Sequence, residues 1–314
     1  MTMLAEKTLT TEQRELIAGL SAAEKYINPK YFYDKKGSEL FEQITQLDEY
    51  YPTRTESAIL SEYAAEMANY IPKDSVIVEP GAGACEKIQL ILEAIHPKAY
   101  LPQDVSRRFL QQAAKSLKTK FDWLEIEPII SDFSKPIAIP DSYHNDSLFA
   151  FYPGSTIGNF EPESAKRFLS NMRALVGDNG GLLIGMDLQK DPQIIEAAYN
   201  DSKGVTAEFN LNMMNNVNRH LGSKLDLTMF SHKAFYNQAL NRIEMHLISK
   251  QSQSYKILGK AIQFDKGEAI HTENSYKFSL ESIDELAKAT GFNRVKTWVD
   301  SEQLFSLNFF QSSK

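Results

Sequence analysis

The chain has 314 residues, 42% of them hydrophobic, and a formal net charge of −7 at pH 7. This suffices for one large α/β domain with an elaboration, or for two domains. The acidic balance and the lack of a basic run interleaved with aromatics disfavour a nucleic-acid partner. No signal-peptide core and no stretch of roughly 18 apolar residues is present. We therefore expect a cytoplasmic protein with a small-molecule partner, no membrane association and no obligate protein partner.

The first two thirds of the chain read as helices followed by alternating strands and helices. Helical patterns cover 9–27, 38–47 and 56–70 before the first core strand. Later helices are predicted at 86–94, 106–117 and 163–176, and strands at 76–78, 99–104, 125–133, 147–152 and 180–187. This alternation predicts a parallel sheet with right-handed crossovers.

The pattern changes after residue 192. Two helices rich in Asn and Met are predicted over 192–220, alternating strands over 232–278, a helix over 280–290 and strands over 294–310. The middle block is therefore predicted to be inserted between the fifth and sixth core strands. We expect an α/β fold, a Rossmann-like sheet with helices on both faces, plus a second α+β substrate-binding domain. The predicted domains are 1–60 (N-terminal helical part of the substrate domain), 61–195 with 279–314 (Rossmann-like core) and 196–278 (inserted part of the substrate domain).

A glycine turn follows the first core strand. Glu79 stands at the carboxyl end of that strand, and Gly81 and Gly83 let the backbone approach a ligand closely. A dinucleotide fingerprint would have a third glycine where Glu86 stands, and an acid there would repel a pyrophosphate. The favoured ligand is a nucleoside without phosphates that carries a positive or zwitterionic tail, which describes S-adenosylmethionine. Because two glycines are a weak signal, an ordinary strand-to-helix turn without a ligand remains the alternative interpretation.

The next two strands also end in carboxylates. Asp104 lies about 20 residues past the turn, where an acid can accept both ribose hydroxyls, and its alternative role is to cap the helix that begins at Val105. Asp132 and Phe133 suit the amino group and ring face of adenine. Such spacing is typical of a nucleoside pocket. Cys85, the single cysteine, is read as a small filler in the turn, with a reactive thiol as the alternative.

Polar residues elsewhere suggest a second ligand. Asn159 follows the fourth strand and can both donate and accept, which suits an amino acid head group; its alternative is to cap the helix after Glu161. Glu273 and Ser275 share one face if the segment is extended, and together could grip an imidazole or another cation. The tyrosines over 31–34 and 48–54 have a packing seam as their alternative explanation.

Motifs spread over 29–310 resemble those of the histidine Nα-methyltransferases of ergothioneine biosynthesis, which are class I S-adenosylmethionine-dependent enzymes. The matching positions are Phe32–Asp34 with Gly37–Phe41, Glu49–Arg54, Gly154–Asn159, Asp187 with Lys190–Asp191, Tyr199 with Gly204–Ala207, Phe209–Asn210, Val217–Arg219, Arg242–Met245, and Thr272–Glu273 with Ser275 and Lys277–Phe278. The cofactor loop departs from the family, which usually has a small hydroxyl residue between and after the glycines. That difference should adjust the cofactor contacts without abolishing them.

The resemblance implies roles for individual residues. Asn159 and Tyr199 would hold the substrate carboxylate and orient the α-amino group, with Tyr33 and the backbone of Gly154 nearby. Tyr33, Asn159 and Tyr199 form the predicted catalytic set. The imidazole end and the rest of the substrate-binding set would be Phe41, Tyr50, Met245, Glu273 and Ser275. The predicted cofactor-binding residues are Glu79, Gly81, Ala82, Gly83, Lys87, Asp104, Asp132 and Phe133, with no metal.

The implied reaction is the trimethylation of the α-amino group of L-histidine to hercynine, with S-adenosylmethionine as methyl donor. Direct in-line displacement at the sulfonium methyl depends mostly on positioning and electrostatics. The sequence indicates no dedicated base, so bulk water or a tyrosine-linked water would take the proton. Glu273 favours histidine. The alternatives are N-methylation of another amino acid or aromatic amine, a non-catalytic S-adenosylmethionine-binding protein, and a nicotinamide-dependent oxidoreductase, against which Glu86 argues.

Overall fold

A computed structural model describes residues 9–131 and 137–313. Within these ranges the α-helices are α1 Thr11–Ser21, α2 Lys35–Thr45, α3 Tyr51–Met67, α4 Gln89–Ile95, α5 Arg107–Lys120, α6 Pro162–Val176, α7 Pro192–Tyr199, α8 Val205–Leu221 and α9 Leu280–Ala289. Short 3₁₀ helices cover Pro29–Phe32, Asp141–Tyr143, Thr156–Asn159 and Leu227–Met229.

The strands of the described ranges are β1 Lys25–Tyr26, β2 Val76–Pro80, β3 Ala99–Asp104, β4 Glu125–Ile126, β5 Ile129–Ile130, β6 Leu148–Tyr152, β7 Gly181–Asp187, β8 Phe230–Asn237, β9 Arg242–Ser249, β10 Gln253–Ile257, β11 Lys260–Phe264, β12 Ala269–Tyr276, β13 Phe292–Val299 and β14 Phe305–Ser312. The predicted third strand is in fact two short pieces, because Pro128 between them has no N–H to donate to a neighbouring strand.

The contacts divide the chain into two compact units. The large-sheet unit comprises Tyr51–Lys190 and Ser275–Lys314, and the small-sheet unit comprises Met1–Tyr50 and Asp191–Asn274. These units are defined by packing alone. The division into a cofactor core and a substrate-binding domain stays a prediction.

The large sheet has the strand order β13-β14-β7-β6-β2-β3-β4, with β5 also paired to β3. Strands β2 to β7 run parallel, whereas β14 is antiparallel to both β7 and β13. The chain moves outward from β2 in one direction through β3, and in the other through β6. The crevice at the carboxyl ends of β2 and β6 is therefore a topological switch point, where such sheets bind ligands.

Alternating side chains of the central strands face two apolar layers. Ile77, Phe149 and Leu183 pack with residues of α3, α4 and α5 on one face. Ala150 and Leu182 pack with residues of α6 and α9 on the other. Neighbouring residues of a strand point to opposite faces of the sheet. Because helices cover both faces of this sheet, its central strands contain runs of consecutive apolar residues. Full burial of a phenylalanine side chain such as Phe149 stabilises the folded state by about 1.5 to 3 kcal/mol relative to leaving it exposed.

The small-sheet unit has its own core. Its sheet has the order β1-β12-β9-β8, and β10 and β11 form a separate hairpin. The helix α1 begins with a capping box formed by Thr10 and Gln13. Phe32 stacks on Phe209 of α8 with ring centroids 4.5 Å apart. Among the described residues of the whole chain, no helix is both long and apolar enough to cross a membrane.

Candidate functional site

The glycine loop after β2 is fixed to the end of β3. Gly81 and Gly83 have φ values of 68° and 51°, in the left-handed region that glycine adopts without strain. The Ala82 N–H donates to the Gln103 carbonyl at 2.9 Å, and the Gly83 N–H donates to Asp104 Oδ2 at 3.3 Å. A Cβ on Gly83 would meet nothing within 4 Å. The loop is thus held from one side and open on the other.

Asp104 connects this loop to the next helix without capping it. Ser106 is the N-cap residue of α5, so the alternative role of Asp104 as that cap is wrong. Its Oδ1 accepts from the Ser106 N–H at 2.9 Å while its Oδ2 accepts from Gly83. The carboxylate therefore lies at the mouth of the loop. Asp132 and Phe133, the predicted adenine contacts, lie outside the described residues.

Glu79 is a buried acid with a perturbed pKa. Only 3% of the residue is exposed, and its carboxylate accepts a hydrogen bond from the Tyr100 hydroxyl. Burial raises the pKa of Glu79 to about 8, against the opposing effects of the Tyr100 hydrogen bond and the Lys87 charge. Without a bound ligand Glu79 is therefore largely protonated at neutral pH. A cationic ligand beside it would favour the carboxylate.

Cys85 belongs to the same turn. Its side chain is fully buried, its φ is 54°, and burial raises the pKa of its thiol to about 12. Since the thiolate is the reactive form, the filler interpretation is favoured over the reactive thiol.

Glu56 is a site residue that the sequence did not reveal. This α3 side chain is fully buried and pairs with Lys87 at 2.5 Å. Its two carboxylate oxygens accept from the Gly154 N–H at 2.8 and 2.9 Å. A Cβ on Gly185 would lie 2.0 Å from Glu56 Oε1, so a glycine in β7 makes room for the acid. In the sequence, the burial of Glu56 is indicated only by Gly185, which lies far from it along the chain.

Asn159 and Ser275 lie in segments that are packed together. Asn159 ends the 3₁₀ helix after β6, and the N-cap of α6 is Glu161, so the alternative role of Asn159 as that cap is wrong. A Cβ on Gly158 would lie 2.8 Å from the Tyr276 carbonyl and 3.6 Å from Ser275 Oγ. Glycine at this position therefore permits the close approach of the two segments.

In the small-sheet unit, four predicted substrate-binding aromatics form a chain of edge-to-face ring contacts. The centroid distances are 5.9 Å from Tyr33 to Phe41, 6.4 Å from Phe41 to Tyr50, and 6.3 Å from Tyr50 to Tyr199. Phe209, which was not in the predicted set, contacts both Tyr33 and Phe41. Such rings present electron-rich faces that attract cations.

Glu273 adds a negative charge to this aromatic cluster. Desolvation, then the Glu273 carboxylate and Tyr199, raise the pKa of Tyr33. Because 49% of Tyr33 is exposed, water offsets part of the desolvation. Met245 is fully buried, and its carbonyl accepts from the Thr272 hydroxyl at 2.9 Å, which ties β9 to the strand that carries Glu273.

A cluster of Glu244, His246 and His271 in the small-sheet unit has ligand atoms within 4.8 Å of one another. The Glu244 carboxylate already accepts from Arg242, Asn237 and His246. The two imidazoles stack at 15°, so lone pairs in these nearly parallel ring planes do not converge on one point. The cluster is a hydrogen-bonded and stacked array, and the reaction's independence from metals stays a prediction.

A largely parallel sheet into which β14 inserts antiparallel, a glycine loop after its first strand and an acid after its second define a class I S-adenosylmethionine-dependent methyltransferase. Residues 12–312 match the family model described as "Histidine-specific methyltransferase, SAM-dependent". The chain belongs to this family. Membership confirms the resemblance, the fold class, the methyltransferase activity and S-adenosylmethionine as cofactor.

Two curated relatives cover nearly the whole chain. A histidine N-alpha-methyltransferase of Mycobacterium tuberculosis is 37% identical over 94% of this chain and 93% of that protein. One from Mycolicibacterium smegmatis is 37% identical over 98% and 96%. Among solved structures, a possible exported protein from Bordetella parapertussis aligns with a TM-score of 0.53 at 8% identity, over 96% of this chain and 87% of its own. That likeness shows the fold alone.

Proposed function

We propose that this enzyme transfers three methyl groups from S-adenosylmethionine to the α-amino nitrogen of L-histidine, giving hercynine as in ergothioneine biosynthesis, and that it does so in the cytoplasm. The observation that carries the proposal is the match of residues 12–312 to the histidine-specific methyltransferase family. The Glu273 carboxylate, whose charge acts on Tyr33 beside the aromatic cluster, agrees with it. An acid next to such rings suits a polar, cationic or N–H-bearing ring system. The 37% identical relatives named for histidine methylation support the same substrate.

The cofactor roles follow from charge. S-adenosylmethionine carries a sulfonium, an ammonium and a carboxylate on its tail. Lys87 suits the carboxylate, Glu79 suits the cationic part, and Asp104 suits the ribose hydroxyls. Gly81, Ala82 and Gly83 supply the close backbone. When bound, the cofactor provides an activated methyl group; the protein's contribution is to hold and orient.

The substrate roles follow from hydrogen-bonding capacity. Asn159 can accept from the amino group and donate to the carboxylate, and Tyr199 can donate to the same head group. The raised pKa of Tyr33 keeps its phenol protonated, so it acts as a donor and as a ring rather than as a tyrosinate base. The amine proton can then leave to bulk water or to a tyrosine-linked water. The aromatic rings attract the growing methylammonium through cation–π contacts.

Competition between amines tests the substrate assignment. The wild type is offered equal concentrations of histidine, tryptophan, tyrosine and histamine with S-adenosylmethionine, and each methylated product is quantified. Histidine should dominate. Glu273→Gln should lower kcat/KM for histidine by roughly tenfold to a hundredfold, which is the loss of one hydrogen bond to a charged group. Binding of S-adenosylhomocysteine should not change.

Glu208→Gln removes an exposed acid of the same unit, one paired with Lys36, and serves as the control for net charge. It should leave the preference for histidine intact. If the wild type methylates another amine and leaves histidine unmodified, the substrate assignment is wrong. If the cofactor binds and none of the four amines is methylated, the assignment of histidine as substrate is equally wrong.

A further inference from the structure

Ser275 is held by a buried cation in the large-sheet unit. The Lys277 ammonium donates to Ser275 Oγ at 2.8 Å, and only 1% of the Lys277 side chain is exposed. The same ammonium lies 2.7 Å from Asp187 Oδ2. A buried ammonium needs such a partner, because an isolated charge away from water is costly.

Asp187 gathers further partners at the end of β7. The Lys190 ammonium lies 2.6 Å from its Oδ1, and the Tyr51 hydroxyl donates to both carboxylate oxygens at 2.8 and 2.9 Å. Although burial acts in the opposite direction, the two ammonium groups lower the pKa of Asp187. The aspartate is therefore ionised, and its carboxylate holds the Lys277 ammonium in contact with Ser275 Oγ.

The donor and acceptor inventory fixes what Ser275 offers. An ammonium has donors only, whereas a hydroxyl has one donor and two acceptor lone pairs. Because Lys277 donates to Ser275 Oγ, the hydroxyl proton points elsewhere and seeks an acceptor. A hydroxyl that accepts from a cation is also polarised into a stronger donor. Lys277 occupies one of the two lone pairs, and a protonated ring that donated to the other would bring a second positive charge against the same oxygen, which like-charge repulsion disfavours.

We propose that Lys277, held by Asp187, is a positioning residue that makes Ser275 a hydrogen-bond donor to an unprotonated ring nitrogen, so that the enzyme selects the neutral imidazole of its substrate. This rests on the proposed function, which places the histidine ring at Ser275. The site thus discriminates between protonation states of one amino acid as well as between amino acids.

Other titratable groups lie on the elements that carry or contact this cluster. Within the described residues they are Tyr51, Asp187 and Lys190, then Glu161 hydrogen-bonded to Tyr276, Asp300 acting on Lys190, and Glu273 on the same face of β12. Lys190 and Lys277 would repel an imidazolium by charge alone, whereas the four acids would attract it. The test must separate that repulsion from the orientation of the hydroxyl.

Lys277→Met and Lys190→Met form a matched pair for this purpose. Each removes one buried ammonium from Asp187, and only Lys277 donates to Ser275. The dissociation constant of histidine is measured by calorimetry from pH 5.5 to 7.5, with saturating S-adenosylhomocysteine to prevent turnover. In the wild type, binding should weaken by about tenfold as the pH falls from 7.5 to 5.5, because the ring protonates near its ordinary pKa of about 6.5. We call this loss of affinity at low pH the acid limb.

Lys277→Met should weaken histidine binding about tenfold at pH 7.5, which corresponds to the loss of one oriented hydrogen bond. It should also flatten the acid limb, because the Ser275 hydroxyl, freed from the ammonium, can accept from an imidazolium. Lys190→Met should keep the acid limb of the wild type. If the two variants show the same pH dependence, Lys277 acts by charge alone and the proposal is overturned.

Ser275→Ala keeps the test decisive if Lys277→Met does not fold. It should reproduce the tenfold loss and the flattened limb, and the double variant should lose no more than either single variant. A wild-type acid limb in Ser275→Ala, or additive losses, would contradict the proposal. Failure of the wild type to bind histidine at all would instead overturn the proposed function, so the two failures are distinct.

Discussion

The Glu56 carboxylate lies 2.5 Å from the Lys87 ammonium, and the same acid accepts from the Gly154 N–H. One buried side chain therefore joins the segment after the glycine loop to the segment after β6. These are the two strand ends that flank the topological switch point. The acid fixes both a cation and a backbone donor at the place where the cofactor is expected.

Glu56→Gln should destabilise the protein and weaken cofactor binding together. Removing one partner of a buried pair leaves the other charge uncompensated, at a cost of about 3 to 5 kcal/mol when both are fully buried. Since 23% of the Lys87 side chain is exposed, we expect a decrease of about 2 kcal/mol in the free energy of unfolding. Denaturant unfolding and titration with S-adenosylhomocysteine measure the two effects.

Glu163→Gln is the control, because Glu163 pairs with Lys166 on the surface of α6. It should leave both quantities unchanged. An unfolding midpoint and cofactor affinity of Glu56→Gln equal to those of the wild type would show that the buried pair has no such role.

Glu79 should make stability depend on pH in the empty enzyme. Its folded pKa of about 8 lies above the ordinary value of 4.5, so its protonated form is favoured by folding. Its contribution is fully present below pH 4.5 and is lost as the pH rises towards 8, by at most about 1.4 kcal/mol per pH unit. Unfolding of the wild type and Glu79→Gln, compared at pH 6 and pH 8.5, isolates this effect.

The wild type should lose more stability than Glu79→Gln between those two pH values, because the glutamine does not ionise. Parallel behaviour of the two proteins would mean that the folded pKa of Glu79 is close to normal. The same variant also tests binding. If Glu79 faces the cationic tail, wild-type binding of S-adenosylmethionine at pH 7 should release a proton, and the variant should release none.

Cys85 should resist alkylation in the native state. Its thiol is buried and its pKa is raised to about 12, so little thiolate exists at pH 8. Iodoacetamide should react with the unfolded chain far faster than with the native chain, as followed by mass spectrometry. Cys85→Ser should retain methyl transfer. Rapid native alkylation, or loss of turnover in the serine variant that is not explained by unfolding, would favour the reactive-thiol alternative.

Gly158→Ala should disturb the contact between the segments of Asn159 and Ser275. The added Cβ would lie 2.8 Å from the Tyr276 carbonyl, which is backbone and has no easy way to move. We expect a loss of about 1 to 3 kcal/mol in stability and a higher KM for histidine. Normal stability with normal KM would show that the two segments do not need this close approach.

The central sheet could be predicted because its signals are local. The strand at Ala99–Asp104 was predicted with the bounds that it has, since a short run ending in an acid needs no distant partner to be recognised. The start of α3 lies five residues before the predicted start at Glu56, because the tyrosine-rich segment 48–54 was not included in the predicted helix. Pro52 is tolerated in the first helical turn.

The buried charges could not be predicted in the same way. Glu56 looks like any polar residue of an amphipathic helix until Gly185 and Gly154 are brought against it. Lys277 reads as a surface lysine, and its burial depends on Asp187, 90 positions away in the sequence. The candidate ligand residues were accessible through a family resemblance, whereas the residues that hold them depend on tertiary packing.

Mass spectrometry of histidine incubated with the purified enzyme and S-adenosylmethionine tests the central claim most directly. The time course should show one, two and then three added methyl groups on the α-amino nitrogen, with three equivalents of S-adenosylhomocysteine formed per hercynine. Unmodified histidine in the presence of bound cofactor, or methyl groups located on the imidazole ring, would contradict it.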